Sequence, residues 1–356
     1  MANHLTLAVA GSRKTQGLVE HCAALAPTRR VLVVTFTQRN QHELSVRLAK
    51  RVGMQTNVEV MGWYTLLIRH FARPFLPFVF PGSRVQGFDF EGQPSRFATE
   101  EARFFNPSGA LYAAELGKLS NLLVEQSQGA LLYRLESLYD EILVDEVQDL
   151  SGWDWELLEK LFASRIDIRM VGDIRQSVLS TSPRSRKNKQ YAYARALTWF
   201  LAKQRRGEIE IEFRNTTWRC SPGIARFSDT IFNPVWGFPE TESLNEVTTD
   251  HDGVFLLAKC HVLAYVERFR PQCLRVNVRS GAEFDLNYIN FKVAKGATYE
   301  RVLIIATGPI ATFLQRGIQL DPGPAATFYV AVTRAQQSVA IVLDRPGQSV
   351  VPYWAP

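Results

Sequence analysis

Short apolar runs alternate along the chain with longer stretches in which apolar residues recur every three or four positions. That change of period predicts the strands of a parallel sheet covered by helices on both faces. Leu5–Val9, Val31–Thr35, Val58–Met61, Ile142–Val144 and Ile168–Val171 read as the strands of one unit. Val254–Ala258, Cys273–Val278, Val302–Ala306 and Val339–Leu343 read as the strands of a second. Between the two sets lies Ser182–Arg206, polar and basic through Arg184, Arg186, Lys187, Lys189, Lys203, Arg205 and Arg206, and it reads as the hinge. The expected division is therefore 1–206 for the first domain and 207–356 for the second. Within the first, Arg73–Gln128 interrupts the alternation with Pro74, Pro77, Pro81, Pro94 and Pro107 among many phenylalanines. It is expected to be a small insertion packed on the sheet.

Length agrees with this division, since 356 residues suit two domains of roughly 150–200 residues each. No apolar run reaches the ~20 residues of a membrane span, so no membrane partner is expected. The chain enters its first strand without a basic flank or a small-residue cleavage site, which predicts a soluble, cytoplasmic protein. Four cysteines, Cys22, Cys220, Cys260 and Cys273, are too scattered for a disulfide framework or a zinc site and read as reduced thiols. His261 beside Cys260 lacks further ligands at suitable spacing, and no structural metal is assigned. A formal charge of +6 favours a polyanionic partner, though only the motifs give that preference a chemistry.

Those motifs follow one another in a fixed order. Ala10-Gly11-Ser12-Arg13-Lys14-Thr15 comes directly after the first strand, where a tight turn and a helix starting near Lys14 aim backbone N–H groups at an anion. Lys14 would neutralise β- and γ-phosphate oxygens, and the Thr15 hydroxyl would bind Mg²⁺. Arg13 stands where glycine is the usual choice for close backbone approach. An arginine fits there if its backbone keeps a negative φ. Asp145-Glu146 leave the apolar strand Ile142–Val144 at its carboxyl end, where ligands sit in open α/β sheets. An isolated pair of this kind is ordinarily solvated. Here Gln148-Asp149 follow it, and Gly172-Asp173 with Gln176 come after the next strand. Asp145 is the candidate for the Mg²⁺ shell, Glu146 for orienting and deprotonating the attacking water, and Gln176 for sensing the γ-phosphate. Trp218-Arg219 and an arginine late in the chain, Arg334, complete a set suited to nucleoside triphosphate hydrolysis.

Taken together, these segments resemble the motifs of the UvrD/Rep-like superfamily 1 DNA helicases over almost the whole chain. The phosphate loop is similar to Ala10–Thr15. The resemblance makes Thr35-Phe36-Thr37-Gln38, followed by Glu43 and Arg47, a single-stranded-DNA motif, and Val60-Met61-Gly62-Trp63-Tyr64 a second one. Of these, Thr35, Phe36, Thr37 and Trp63 are expected to touch DNA, with Phe36, Trp63 and Tyr64 as candidate stacking platforms. Trp218-Arg219-Cys220-Ser221 resembles the motif whose aromatic stacks on adenine and whose arginine reaches the γ-phosphate. Lys295-Gly296-Ala297-Thr298-Tyr299-Glu300 resembles a nucleotide-contacting motif, with Thr298 in the place of its acidic residue and Gly296 beside it. Tyr329–Ala335 resembles the last motif, making Arg334 an arginine finger across the domain cleft.

The resemblance implies a P-loop NTPase of two RecA-like parallel-sheet domains with accessory subdomains reduced or absent. ATP and Mg²⁺ would be the cofactors, and single-stranded DNA or a forked duplex the track. It implies a DNA helicase or translocase moving 3′ to 5′. Two alternatives stand beside it: a DNA-stimulated ATPase subunit that needs a partner such as a nuclease subunit to unwind, and a nucleic-acid-binding adaptor whose nucleotide site Arg13 impairs. Val178-Leu179-Ser180-Thr181, after Gln176-Ser177, lack the aromatics on which the family stacks bases.

Overall fold

The computed structural model describes residues 3–53, 57–181 and 185–356. In chain order its strands are β1 (His4–Ala8), β2 (Val31–Thr35), β3 (Val58–Gly62), β4 (Gly87–Asp89), β5 (Ala110–Tyr112), β6 (Glu141–Val144), β7 (Asp167–Gly172) and β8 (Glu210–Arg214). They continue with β9 (Thr216–Thr217), β10 (Glu242–Ser243), β11 (Gly253–Leu257), β12 (Gln272–Arg275), β13 (Tyr288–Asn290), β14 (Tyr299–Ile305), β15 (Ala335–Val342) and β16 (Tyr353–Trp354). One six-stranded sheet runs in the order β3-β2-β6-β7-β1-β8 and a second in the order β13-β12-β14-β15-β11-β16. All neighbours in both sheets are parallel. The apolar runs implied parallel sheets covered by helices, and the motif resemblance implied that they form two RecA-like domains, which is the arrangement found.

Each central strand is apolar because both of its faces are covered. Val31-Leu32-Val33-Val34 are all fully buried, with Leu32 and Val34 on one side of the sheet and Val31 and Val33 on the other. The helix Gln38–Val52 shows how local sequence sets element ends. Thr37 caps it by accepting a hydrogen bond from the Asn40 N–H at 3.1 Å, and Gly53 ends it at φ 68°. Its buried residues Leu44 and Leu48 are four apart and so share one face.

The expected strands all have counterparts, but the sheet edges differ. β8 pairs with β1 from Glu210 to Arg214, so the first sheet runs past the expected division at Arg206. Its sequence, Glu-Ile-Glu-Phe-Arg, alternates polar and apolar residues as a solvent-facing edge strand does, and the search for apolar runs passed over it. β13 and β16, the edges of the second sheet, are only three and two residues long, too short to read as apolar runs. The strand expected to reach Val278 stops at Arg275, and Val276 and Val278 stand exposed. Part of the basic stretch read as the hinge, including Arg184, lies outside the described residues. Among the described residues no helix is long and apolar enough to cross a membrane.

The insertion begins earlier than expected, because the helical run starts at Trp63 directly after β3. Its Phe71, Phe75, Phe104, Phe105 and Leu111 join Leu5, Leu32 and Ile142 in a single core, so it does pack on the first sheet. Trp63 is 1 % exposed, which corrects its expected role: it is core, and no base can stack on it. Behind it lies Asp154, buried, with Oδ1 lacking a hydrogen-bond partner and burial pushing its carboxyl up to about 6.

The folded chain therefore holds the Asp154 proton to higher pH than the unfolded chain, and the stability it contributes falls as pH rises from about 4 through about 6. Asp154→Asn is expected to raise the melting temperature at pH 8 relative to wild type and to change it little at pH 4. The shift corresponds to about 3 kcal/mol at the higher pH. Thermal melts of both proteins across pH 4–8 check this, and equal gains at both ends would refute it.

Candidate functional site

The carboxyl ends of β1, β6 and β7 face the segments that leave β8 and precede β14 across a cleft of about 990 Å³ between the two domains. Every residue expected at the nucleotide site lines this cleft except Ala10, which is buried immediately behind it.

After β1 the chain turns, with the Ser12 N–H donating to the Val9 carbonyl at 3.2 Å, and a helix begins at Lys14 and runs to Ala24. No side chain caps the first turn of that helix, so its N–H groups are available to an anion. Arg13, at its N-cap, has φ 60° and ψ 32°. The negative φ on which an arginine's fit was conditional is thus not what the turn adopts. The turn from strand to helix demands the left-handed region, which is why glycine suits the position and why arginine there costs roughly 1–2 kcal/mol. Part of that cost is offset by the Arg13 guanidinium lying 4.8 Å from the centroid of the Trp218 ring, a contact contributing about 0.5–1 kcal/mol at an open site.

The second domain holds this loop in place. The Trp218 N–H donates to the Gly11 carbonyl at 3.1 Å, the Thr217 hydroxyl to the Ala10 carbonyl at 2.7 Å, and the Ala10 N–H to the Tyr329 hydroxyl at 3.3 Å. Gly11, at φ 76°, leaves no room for a side chain: a Cβ there would stand 2.5 Å from Arg219 Cβ and 2.6 Å from Thr217 Oγ1. Gly11→Ala is expected to force the loop from the Trp218-Arg219 segment and to weaken binding of an ATP analogue at least tenfold, read by titration calorimetry. Unchanged affinity would show that this approach does not shape the site.

Asp145 and Glu146 leave β6 at the base of the cleft. The Asp145 N–H donates to the Val34 carbonyl at 2.8 Å, and Glu146, at φ 55°, donates its N–H to Asp145 Oδ1 at 3.0 Å. Gln148 hydrogen-bonds the Glu146 carboxylate with its amide nitrogen, while its oxygen accepts from the Asp173 N–H at 3.1 Å. Across the domain boundary, Lys295 Nζ lies 3.1 Å from Glu146 Oε2 and 2.8 Å from both oxygens of Asp149. Burial and the adjacent Glu146 push Asp145 up to about 7. Burial would push Glu146 up too, but Lys295 and Lys14 together outweigh it and hold that carboxylate down near 2. The surroundings thus pull the two neighbouring carboxyls apart, Asp145 toward its protonated form and Glu146 toward its ionised form.

Arg334 is the most unusual group in the cleft. It is 1 % exposed, and its guanidinium donates to the Val330 carbonyl at 2.9 Å, the Ala297 carbonyl at 3.3 Å, Gln176 Oε1 at 3.0 Å and Thr333 Oγ1 at 3.2 Å. These acceptors are all neutral. Burial and the nearby Arg219 bring its pKa down to about 9. Arg219 in turn donates to the Thr333 carbonyl at 3.2 Å. Gln176 spans the boundary, accepting from Arg334 and donating to Asp173 Oδ2 at 2.8 Å, and Tyr329 donates to the same Asp173 oxygen at 3.3 Å. A second bridge joins the domains through Arg175 and Asp229 at 2.9 Å.

The residues expected on DNA separate. Thr35 is 1 % exposed at the end of a central strand and is removed from any surface. Thr37 caps its helix and lines the interdomain cleft together with the residues expected at the nucleotide site. Phe36 remains half-buried with its ring centroid 6.1 Å from Tyr64, and Tyr64 lies 5.9 Å from Phe90, which the insertion supplies and which is 62 % exposed. Sequence reasoning gave no role to Lys295 or Asp149, although both fall inside recognised motifs. Phe90 carried no signal at all.

Residues 102–180 match the family model of the UvrD/REP helicase N-terminal domain, which bears out the resemblance read from the motifs over that part of the first domain. No curated protein matches the chain. Among solved structures, the chain is similar to an arterivirus nonstructural protein 10 helicase in complex with DNA, at 13 % identity and a TM-score of 0.49, over 96 % of this chain and 60 % of that one. It is also similar to a crystal structure of arterivirus nonstructural protein 10 helicase, at 14 % identity and a TM-score of 0.47, over 95 % and 59 %. The chain thus spans about 60 % of the length of those proteins.

Proposed function

We propose that this chain is an ATP hydrolase that moves along single-stranded DNA, with polarity 3′ to 5′ as the motif resemblance implies. The observation that carries the reading is Arg334: a buried cation bonded only to neutral oxygens, in the same cleft as Lys14 and the uncapped helix start. A buried cation with no hydrogen-bonded carboxylate, and Glu146 acting on it only from farther off, is expensive, and a phosphate chain would supply a closer partner. The site residues fit ATP and Mg²⁺ on these grounds. The loop Gly11–Thr15 and Lys14 would hold the phosphates, Trp218 and Thr298 would border the base and sugar, and Thr15 with Asp145 would hold the metal. When bound, Mg²⁺ supplies neutralisation of the phosphate charge.

The chain's own residues do the rest. Glu146, kept ionised, orients a water and takes its proton. Arg219 and Arg334 bring positive charge from the second domain, and Gln176 links Arg334 to Asp173 in the first. Because the groups come from two domains, closure completes the site and opening follows hydrolysis. Phe36, Tyr64 and Phe90 offer a row of rings to a single strand, and the net charge of +6 favours its phosphates.

A second reading, a DNA-stimulated ATPase subunit whose partner, such as a nuclease subunit, supplies duplex separation, is favoured by the insertion being folded into the first core rather than standing as a separate subdomain. A forked duplex with one labelled strand, incubated with ATP, separates the two readings. Strand release by the chain alone supports the helicase. Hydrolysis and strand-stimulated turnover without release support the subunit, and failure to bind either nucleotide or single strands would overturn both.

A further inference from the structure

Arg175 is a buried arginine to which the reaction proposed above gives no part. It lies in the turn Ile174–Gln176 that follows β7, is 4 % exposed, and sends its guanidinium out of the first domain into a socket of the second. Its Nη1 donates to Asp229 Oδ1 at 2.9 Å and to Thr241 Oγ1 at 3.4 Å. The guanidinium carbon stands 4.9 Å from the centroid of the Tyr329 ring and 5.6 Å from that of Phe238. Such a seat suits arginine, whose planar cation stacks on rings while it makes directed bonds to a carboxylate.

The second domain braces the socket from its own side. Asp229, near the end of the helix Pro222–Thr230, accepts from the Thr241 N–H at 2.6 Å and from the Thr241 hydroxyl at 2.7 Å. The Phe238 ring lies 5.4 Å from Phe232, which lies 5.5 Å from Tyr329, and Phe238 packs against the apolar cores of both domains. Arg175 and Phe238 also border a cavity of about 20 Å³ together with Leu7 and Phe213, on β1 and β8, the strands at whose edge the chain leaves the first sheet. None of Arg175, Asp229, Phe238, Thr241 and Tyr329 lines the nucleotide cleft.

A single carboxylate connects this socket to the cleft. Asp173 Oδ1 accepts from the Arg175 N–H at 3.1 Å and lies 3.6 Å from Arg175 Nε, while Asp173 Oδ2 accepts from the Gln176 amide at 2.8 Å. Gln176 in turn accepts from Arg334 at 3.0 Å. A path of charged and hydrogen-bonded groups thus runs from Asp229 through Arg175, Asp173 and Gln176 to Arg334, crossing the domain boundary twice.

We propose that Arg175 is a positioning residue: seated in its socket, it is the fixed point about which the second domain turns, and it sets where Gln176 and Arg334 stand in the cleft. The proposal rests on the nucleotide reading above and deepens it. The phosphate loop, Lys295 and Arg334 join the domains through groups that a nucleotide would meet, so those contacts change when it enters or leaves. The Arg175 socket touches none of the cleft's lining except through Asp173, and it holds through the cycle.

The test measures the affinities of ADP and of a non-hydrolysable ATP analogue by titration calorimetry, and single-turnover ATP hydrolysis, for wild type, Arg175→Met, Asp229→Asn and the double variant. Each single variant is expected to hydrolyse ATP on the order of 10–100-fold more slowly, as a small misplacement of distant origin does. Affinity for the analogue should fall several-fold in each, with ADP affinity kept within about twofold, since ADP lacks the γ-phosphate that Arg219 and Arg334 would meet. The double variant should be no slower than Arg175→Met by more than about twofold, because the two residues act as one contact. Wild-type turnover in Asp229→Asn would overturn the proposal even where Arg175→Met fails to fold. Equal loss of ADP and analogue affinity would assign the pair a merely structural role and overturn it as well, as would losses that multiply in the double variant. Binding of neither nucleotide by wild type would overturn the nucleotide reading itself.

Discussion

Arg334→Met is expected to abolish ATP hydrolysis and to weaken nucleotide binding as well, because the phosphate chain loses the buried cation that it would pair with. An arginine that meets developing phosphate charge contributes on the order of 10³–10⁵ in turnover. The methionine keeps most of the buried stem's volume and removes the charge. Because the guanidinium is buried with only neutral acceptors and burial already lowers its pKa to about 9, little folding stability is tied to that charge. The melting temperature should therefore hold or rise as activity disappears. A variant that melts far below wild type would give Arg334 a structural role, and one that turns over normally would remove it from the reaction.

Glu146→Gln is expected to bind ATP normally and to hydrolyse it on the order of 10²–10⁴-fold more slowly, the usual loss when a positioned base is neutralised. The amide keeps the shape that Gln148 and Lys295 contact, and Lys295 retains both oxygens of Asp149. Single-turnover kinetics with an independent binding measurement check this. Retained turnover would pass the role of base to another group. The pH profile adds a second check. Lys295 and Lys14 hold the Glu146 carboxylate near 2, so the wild-type rate should show no loss of this base in the ordinary acidic range. In Lys295→Met, Lys14 and the Gln148 amide remain but the nearest cation is gone, the Glu146 pKa rises, and the rate should begin to fall at a higher pH as the base takes up its proton.

Much of the fold could be read in the sequence because its central strands are buried on both faces and so are almost purely apolar. Val31–Thr35 is the plainest instance: the expected span and the strand coincide. The edges could not be read that way. β8 alternates Glu-Ile-Glu-Phe-Arg because one side meets water, and a search for apolar runs has no reason to stop there. The residues proposed for the nucleotide could be picked out because they sit at strand ends and helix starts, positions fixed by local sequence, and the structure brings them to one cleft. Trp63 was misread because an aromatic next to a strand looks the same whether it faces a ligand or a core, and here the helical insertion begins on it. Arg13 shows the limit at backbone level: residue type suggested a negative φ, and the strand-to-helix turn imposed a positive one. Lys295 was placed in a motif, but its ion pairs depend on how two domains meet, which no local pattern records. The same holds for Arg175 and Phe90, whose neighbours are distant in the chain.

The most direct measurement is steady-state ATP hydrolysis by the purified protein with and without single-stranded DNA or RNA, with Lys14→Ala as the control. The arrangement of Lys14, Glu146, Arg219 and Arg334 around one interdomain cleft predicts turnover that rises strongly with single-stranded DNA and vanishes in the control. No hydrolysis under any condition, with salt-sensitive DNA binding retained, would contradict it.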